Sequence, residues 1–159
     1  MKKAIRKKDI DLMVYDFDGV LTDNKVLVFE DGKEAVVCNR SDGLAIRKMR
    51  ENKIQQIFLS AEKSGIVAVR AKKLKIKAIH NVRDKKTTLI AYCKEKKYDL
   101  KKVLYVGNDS NDREAMKIVG YPVAPRDAHK SIKEVAKFII NVDGGQGVIR
   151  ALYDRIILK

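Results

Sequence analysis

Short apolar runs alternate along this chain with stretches in which apolar positions recur every three or four residues. The short runs predict buried strands, and the periodic stretches predict helices. The predicted strands are 10–15, 54–59, 75–79, 103–106, 121–124 and 138–140. The predicted helices are one that carries Leu44, Ile46 and Met49, then 66–74, 85–97, 113–119, 131–136 and an amphipathic helix that ends at Leu158. This alternation predicts an α/β fold, with a mainly parallel sheet covered by helices on both faces. No long linker divides residues 1–159, so a single domain is expected.

A β-hairpin is predicted between the first strand and the first helix. Val26–Phe29 and Ala35–Cys38 are rich in strand-forming residues, and the turn between them contains Asp31-Gly32, a strong hairpin signal. Ser41 follows as the expected N-cap of the first helix. The hairpin would form a flap beside the first strand.

Polar clusters follow several predicted strands. They are Asp16-Phe17-Asp18-Gly19, Ser60-Ala61-Glu62, Arg83-Asp84-Lys85 and Gly107-Asn108-Asp109-Ser110-Asn111-Asp112. Ligand sites of open parallel sheets lie beyond the carboxyl ends of the strands, so these clusters should meet at one edge. Two carboxylates two residues apart can serve one Mg²⁺ and one phosphate, one attacking phosphorus and the other handling the proton of the leaving group. A carboxylate that attacks a phosphate dianion needs nearby positive charge, from a metal and a lysine.

The ordered set of clusters resembles the four motifs of the haloacid dehalogenase-type phosphatases. Asp16-Phe17-Asp18-Gly19-Val20-Leu21-Thr22 is similar to their first motif, and Ser60, Lys85 and the segment 107–112 match the second, third and fourth. The resemblance implies a Rossmann-like fold and an aspartyl-phosphate intermediate. It implies that Asp16 is the nucleophile and Asp18 the general acid and base. It further implies that Ser60 binds the phosphoryl oxygens and that Lys85 neutralises charge.

The resemblance also implies a Mg²⁺ ion held by Asp16, the backbone carbonyl of Asp18 and the fourth motif. Asn108 stands where many relatives have a metal-binding aspartate. A carboxamide oxygen can coordinate Mg²⁺ but brings no charge, so a lower metal affinity is expected. Asn108 and Asp109 are both candidates for the third protein ligand, and Asp112 could compensate directly or through water.

The spacing of the motifs leaves no room for a cap domain. Only 41 residues lie between Asp18 and Ser60, and they already hold the hairpin and a helix. An uncapped site is open to water. The resemblance to capless relatives of similar size implies a homotetramer, in which hairpins build a central barrel and neighbouring subunits cover each site.

Further segments are similar to a sugar-acid phosphatase branch of the family. This branch contains phosphatases for 3-deoxy-D-manno-octulosonate 8-phosphate and for nonulosonate (sialic-acid-type) 9-phosphates, and the segments 59–63 and 70–74 resemble the second group. The substrate-binding residues implied are Arg40, Ser41, Asp42, Gly43, Ala61, Glu62, Lys73 and Arg150. Arg150 follows Gly144-Gly145-Gln146-Gly147, which is similar to a segment that reaches an active site in relatives. Glu62 as a helix-start acid, Lys73 as a solvated lysine and the glycines as an ordinary loop are alternative interpretations.

The net charge raises the alternative of nucleic-acid binding, and the composition argues against this and several other classes of protein. Lys and Arg number 35 against 21 Asp and Glu, a formal net charge of +14. Aromatic residues make up only 6% and no nucleic-acid motif is present, so the lysines favour a solvated surface over a nucleic-acid site. No apolar run suits a membrane span or a secretory signal, and two cysteines make no disulfide framework, so a cytoplasmic protein is expected.

Two functional hypotheses remain. The first is a Mg²⁺-dependent phosphatase that acts on a small anionic sugar-acid phosphate, with a nonulosonate 9-phosphate favoured over the octulosonate ester. The second is a weakly active or non-catalytic partner of an acylneuraminate cytidylyltransferase, because Gly107-Asn108-Asp109 is similar to domains associated with those enzymes.

Overall fold

The computed structural model describes residues 5–156. Its strands are β1 (Leu12–Tyr15), β2 (Leu27–Val28), β3 (Glu34–Ala35), β4 (Gln55–Leu59), β5 (Lys77–Ile79), β6 (Val103–Val106), β7 (Tyr121–Pro125) and β8 (Phe138–Ile140). Its α-helices are α1 (Arg40–Glu51), α2 (Ile66–Leu74), α3 (Lys85–Lys96), α4 (Arg113–Lys117), α5 (Lys130–Lys133) and α6 (Val148–Ile156). Short 3₁₀ turns occupy Lys7–Asp9, Leu100–Lys102 and Ser110–Asp112.

Six strands form one parallel sheet in the order β5-β4-β1-β6-β7-β8, and β2 pairs with β3 as an antiparallel hairpin. In the register of the central strand, Val14 lies between Ile57 of β4 and Tyr105 of β6. The chain leaves β1 first toward β4 and β5, and later returns to build β6, β7 and β8 on the other side. This change of direction places the crevice of the sheet at the carboxyl end of β1. The predicted Rossmann-like architecture, with a hairpin flap and no cap domain, is confirmed.

Helices cover both faces of the sheet because alternate residues of β1 point to opposite sides. Met13 and Tyr15 join the core under α1, α2 and α6, whereas Leu12 and Val14 join the core under α3, α4 and α5. All four side chains are fully buried. A strand buried on both faces is apolar throughout, which is why β1 reads as a continuous apolar run.

Several predicted boundaries were wrong. Asn39, not Ser41, caps α1: its side-chain oxygen accepts hydrogen bonds from the backbone N–H (2.9 Å) and hydroxyl (2.7 Å) of Ser41. The hairpin strands are shorter than predicted, since Val36 and Cys38 turn away from the hairpin to pack against the core. Helices α4 and α5 end earlier than predicted, at Lys117 and Lys133. The predicted helix end at Leu158 lies outside the described residues.

The cysteines and the lengths of the helices can also be compared with the sequence analysis. Cys38 and Cys93 are free thiols. Between residues 5 and 156, every helix is too short or too polar to span a membrane.

Candidate active site

The first two aspartates leave the end of β1 in a tight turn. The backbone N–H of Asp16 donates to the carbonyl of Val106 (2.9 Å), which continues the ladder between β1 and β6 by one residue. Gly19 follows with a φ of 78°, and a Cβ at this position would overlap the side chain of Asn108. Glycine is therefore required here both by the left-handed backbone and by the close approach of the fourth motif.

Lys85 is buried between two carboxylates. Its Nζ lies 2.8 Å from Oδ1 of Asp16 and 2.7 Å from Oδ1 of Asp112. Asp84 caps α3 and so fixes the helix start from which Lys85 projects. Tyr105 of β6 donates its hydroxyl to the same Oδ1 of Asp112 (2.8 Å). The other oxygen of Asp112 accepts the backbone N–H of Asn108 (3.0 Å), so this carboxylate ties the lysine to the fourth motif.

Burial and charge shift the pKa values of these groups. Burial raises the pKa of Asp16 well above its usual range; the negative charge of Asp112 adds to this rise and Lys85 opposes it. Burial alone would lower the pKa of Lys85, but the two carboxylates outweigh it and raise that pKa. The positive charge of Lys85 favours the ionised form of Asp16 and so acts against the effect of burial.

Asp18 has a different environment. It is half-buried, and the hydroxyl of Thr22 lies 3.5 Å from its Oδ1. Burial raises the pKa of Asp18, and the negative charge of Glu62 raises it further. A carboxyl group with a raised pKa holds a proton at higher pH than usual, which suits a general acid.

A cavity of about 610 Å³ opens at this edge, and we call it the nucleophile cavity. Its walls include Asp16, Asp18, Asn24, Ser60, Ala61, Glu62, Lys63, Asn108, Asp109, Ser110 and Asn111. Ser60 is buried directly after β4, and its hydroxyl accepts the backbone N–H of Glu62 (3.1 Å). The structure thus brings the predicted residues Asp16, Asp18, Ser60 and Asn108 to one cavity, with Lys85 beneath Asp16.

The fourth motif offers two different candidate metal ligands. Oδ1 of Asn108 is buried in the cavity wall, and no group within residues 5–156 donates a hydrogen bond to it. Asp109 is exposed, and its carboxylate accepts the backbone N–H of Ser110 (2.6 Å) as the cap of a 3₁₀ turn. An unpartnered buried oxygen beside Asp16 and Asp18 fits a hard cation such as Mg²⁺, which prefers oxygen ligands. Across the described part of the chain, no three His, Cys, Asp or Glu side chains form a metal cluster.

The predicted substrate-binding residues are divided among several places. Ala61 and Glu62 line the nucleophile cavity. Arg40 and Lys73 line a separate cavity of about 620 Å³ with Val36, Cys38, Gly65, Ile66, Val69 and Arg70, which we call the basic cavity. The Glu62 carboxylate accepts the backbone N–H groups of Lys63 (2.7 Å) and Ser64 (2.9 Å).

The remaining predicted residues lie on α1 and α6 and do not line these cavities, and two of them join the two helices. Oδ1 of Asp42 accepts the backbone N–H of Arg150 (2.9 Å) at the start of α6. The guanidinium of Arg150 pairs with Asp154 one turn later (3.0 Å). Ser41 bonds Asn39, as described above, and Gly43 packs against Leu74 of α2.

Two residues contribute to the site in ways that the sequence does not predict. Asp112 is expected from the sequence only as a substitute metal ligand, whereas the structure places it against Lys85. Thr22 accepts the backbone N–H of Gly19 (3.2 Å) and lies beside Asp18, and so closes the turn that carries both aspartates. In the sequence, the only indication that Asp112 and Thr22 belong to the site is their position inside the matched motifs.

Comparisons with known proteins agree with this geometry. Residues 44–152 match the haloacid dehalogenase-like hydrolase family. The 3-deoxy-D-manno-octulosonate 8-phosphate phosphatase of Salmonella typhi is 30% identical over 156 residues, which cover 96% of this chain and 82% of that protein. The crystal structure of the same enzyme from Moraxella catarrhalis, in complex with a magnesium ion, a phosphate ion and a KDO molecule, has 27% identity and a TM-score of 0.89 over 92% of this chain and 85% of that one.

A third relative differs in length. The N-acylneuraminate cytidylyltransferase of Oncorhynchus mykiss is 29% identical over 151 residues, or 92% of this chain, but the match spans only 35% of that protein. The family match, the phosphatase relatives and the six-stranded parallel sheet lead to one conclusion. The chain belongs to the haloacid dehalogenase-like hydrolases, in the phosphatase branch related to the 3-deoxy-D-manno-octulosonate 8-phosphate phosphatases.

Proposed function

We propose that this protein is a Mg²⁺-dependent phosphatase that hydrolyses a sugar-acid phosphate monoester through an aspartyl-phosphate intermediate. The observation that carries the proposal is a row of three adjoining cavities that are lined by different kinds of polar side chain. A third cavity of about 260 Å³, which we call the flap cavity, lies between the other two. It shares Asp18, Asn24 and Glu62 with the nucleophile cavity, and Val36 and Ile66 with the basic cavity.

Each cavity suits one part of a phosphorylated sugar acid. The nucleophile cavity holds Asp16 and Ser60 for the phosphoryl group. The flap cavity adds Glu34 to Glu62, and carboxylates accept hydrogen bonds from sugar hydroxyls. The basic cavity holds Arg40, Arg70 and Lys73, and Nε of Arg70 is buried without a partner in the described chain. Guanidinium groups of this kind bind carboxylates.

The residues would act in two steps. The Asp16 carboxylate attacks phosphorus as the bond from phosphorus to the leaving oxygen breaks, and Asp18 gives its proton to that oxygen. Asp18, now a carboxylate, takes a proton from the water that attacks the aspartyl-phosphate, which frees inorganic phosphate and Asp16. Ser60 orients the phosphoryl oxygens, and Lys85 offsets the negative charge that builds on Asp16 and the phosphate.

Mg²⁺ would be held by the Asp16 carboxylate, the backbone carbonyl of Asp18 and Oδ1 of Asn108. When bound, the ion supplies positive charge that lowers the repulsion between a carboxylate and a phosphate dianion. Asp112 offsets much of the positive charge that Lys85 brings to Asp16. The ion would therefore supply positive charge in addition to that of the lysine.

Within this substrate class we favour a nonulosonate 9-phosphate, with 3-deoxy-D-manno-octulosonate 8-phosphate as the second choice. The support is the likeness of segments 59–63 and 70–74 to the nonulosonate group, together with Glu62 in the nucleophile and flap cavities and Lys73 in the basic cavity.

The test is a panel of phosphate esters assayed with purified protein and Mg²⁺. We expect the highest kcat/KM for a nonulosonate 9-phosphate, a lower value for the octulosonate ester, and a much lower value for a sugar phosphate without a carboxylate. Asp16→Asn should abolish turnover of all three. Equal turnover of sugar phosphates with and without a carboxylate would contradict the proposed role of the basic cavity, and wild-type turnover by Asp16→Asn would exclude Asp16 as nucleophile.

We also propose that the protein works as a homotetramer assembled through the hairpin flap. Leu27 and Val28 of β2 are 62% and 65% exposed, and the flanking Val26 and Phe29 are about half exposed. Contiguous apolar side chains of this kind favour contact with another protein surface. A second copy of the same hairpin is the simplest partner, because like strands pair without a new recognition surface.

A second candidate function is a weakly active or non-catalytic partner of an acylneuraminate cytidylyltransferase. Asn108 in place of a charged metal ligand and the relative from Oncorhynchus mykiss favour it. Turnover of any ester in the panel with a strong requirement for Mg²⁺ would exclude a non-catalytic role.

A further inference from the structure

The glycine-rich loop between β8 and α6 packs directly on the backbone of the first motif. A Cβ on Gly144 would overlap the carbonyl oxygen of Gly19, and a Cβ on Gly145 would lie 2.5 Å from the backbone nitrogen of Asp23. The backbone N–H of Gly145 donates to the carbonyl of Val20 (3.0 Å). Only glycine allows two backbone segments to approach this closely.

The contacted turn, Gly19–Asp23, directly follows Asp18. Its middle residues Val20, Leu21 and Thr22 are fully buried, so the turn is fixed by packing as well as by the loop. Thr22 bonds the backbone of Gly19 and lies beside the Asp18 carboxyl, as described above. A displacement of the turn would therefore move the Asp18 side chain relative to Asp16.

The loop is itself held in place by Arg126 and Asp127, which directly follow β7. The backbone N–H of Gly144 donates to Oδ1 of Asp127 (2.9 Å). Arg126 binds both carboxylate oxygens of Asp143 (2.8 and 2.7 Å), and its backbone N–H donates to Val142 (3.0 Å). The loop thus links β7 to the first motif.

We propose that Gly144, supported by Asp127, is a positioning residue for Asp18. The loop packs against the Gly19–Asp23 turn and fixes its position, so that Asp18 can give its proton to the leaving oxygen. This inference rests on the proposed function, in which Asp18 is the general acid. It assigns the glycine-rich segment a task within its own subunit.

The test compares two esters that differ in their need for a general acid. An alkyl phosphate such as the preferred sugar-acid ester has a strongly basic leaving oxygen that must be protonated, whereas p-nitrophenyl phosphate releases a stable phenolate without a proton. For Gly144→Ala we expect kcat/KM to fall about 10- to 100-fold more for the alkyl ester than for the aryl ester. The ratio kcat/KM reports the first chemical step, which Asp18 serves as an acid.

Gly120→Ala is the matched control. A Cβ on Gly120 would overlap the backbone carbonyl of Lys101, a clash of the same kind at the opposite edge of the sheet. We expect this variant to lose stability while the ratio of the two kcat/KM values stays at the wild-type value. Asp127→Ala removes the acceptor of the Gly144 N–H without adding bulk, and should shift the ratio in the same direction by about threefold to tenfold.

Two results would overturn the inference. If Gly144→Ala and Asp127→Ala lower both kcat/KM values equally, the loop stabilises the fold but does not position Asp18. If Gly144→Ala does not fold, an unchanged ratio in Asp127→Ala overturns the positioning role in the same way. A wild-type protein that hydrolyses neither ester would instead remove the proposed function, which separates that failure from failure of the positioning role.

Discussion

The ammonium group of Lys85 lies 2.7 Å from Oδ1 of Asp112, and neither side chain is more than 1% exposed. The same lysine contacts Asp16, so one buried cation serves two carboxylates. Each carboxylate alone would be costly to bury, and the lysine makes both tolerable. The arrangement also fixes where the positive charge lies in relation to the nucleophile.

Removal of the negative charge at Asp112 should weaken both stability and catalysis. In Asp112→Asn we expect the free energy of unfolding, measured with urea, to fall by about 3 kcal/mol, since a buried ion pair is broken. We expect kcat/KM to fall at least about tenfold, because Lys85 loses the partner that orients it. Tyr105→Phe removes only one hydrogen bond to Asp112 and should cost about 1 kcal/mol with little change in rate. Equal losses of rate in the two variants would contradict the orienting role of Asp112.

A charged ligand at position 108 should tighten the hold on Mg²⁺. Asn108→Asp keeps the side-chain shape that fits against Gly19 and adds a negative oxygen to the cavity wall. We expect the Mg²⁺ concentration at half-maximal activity to fall about tenfold or more, and calorimetric titration of the ion should show the same change. Asp109→Asn, on the exposed 3₁₀ turn, is the control and should leave that concentration nearly unchanged. A larger effect at position 109 would assign the ligand to Asp109 instead.

Asp42 should make the protein less stable as the pH rises through about 6. Burial raises the pKa of this carboxyl from 3.8 to about 6, despite the hydrogen bonds from the backbone at Arg150 and Ile149 and the charge of Arg70. Between these pH values the folded protein binds a proton that the unfolded chain has released, so stability falls with rising pH. The difference between the two pKa values corresponds to roughly 3 kcal/mol, present below pH 4 and lost above pH 6.

Asp42→Asn tests this pH dependence. Urea unfolding at pH 4 and pH 8 should show the variant gaining stability relative to the wild type by up to about 3 kcal/mol at the higher pH. Asp143→Asn is the control of opposite sign, because Arg126 lowers the pKa of the Asp143 carboxyl and its ionised form stabilises the fold. Parallel pH profiles for the wild type and Asp42→Asn would refute the assignment to Asp42.

Charge on the hairpin flap should prevent assembly. Val28→Lys places an ammonium in the apolar patch, where pairing of two hairpins would bury it without a partner. We expect sedimentation to show a tetramer for the wild type and a smaller species for the variant. Glu30→Lys, on an already polar and exposed position of the same hairpin, should leave the assembly intact. A wild-type monomer at micromolar concentration would refute the tetramer.

Much of the fold followed from local pattern, because strand and helix periods and turn residues act over a few positions. The apolar run before Asp16 and the Asp31-Gly32 turn are of this kind, and both elements are present. The boundary errors arose where tertiary contacts outweigh propensity. Val36 and Cys38 belong to a segment that was predicted as a strand, yet they pack against the core and do not pair in the hairpin.

The amino-acid sequence by itself determined which groups stand at the carboxyl ends of the strands, since the order of Asp16, Ser60, Lys85 and Asn108 along a parallel α/β chain brings them to one edge. Only the tertiary structure decided the partners of these groups. Asp112 lies 27 positions from Lys85, and Gly144 is separated by more than a hundred from Gly19, which its backbone touches. Such contacts depend on how the helices and loops pack on the sheet, and no periodicity in the chain encodes that packing.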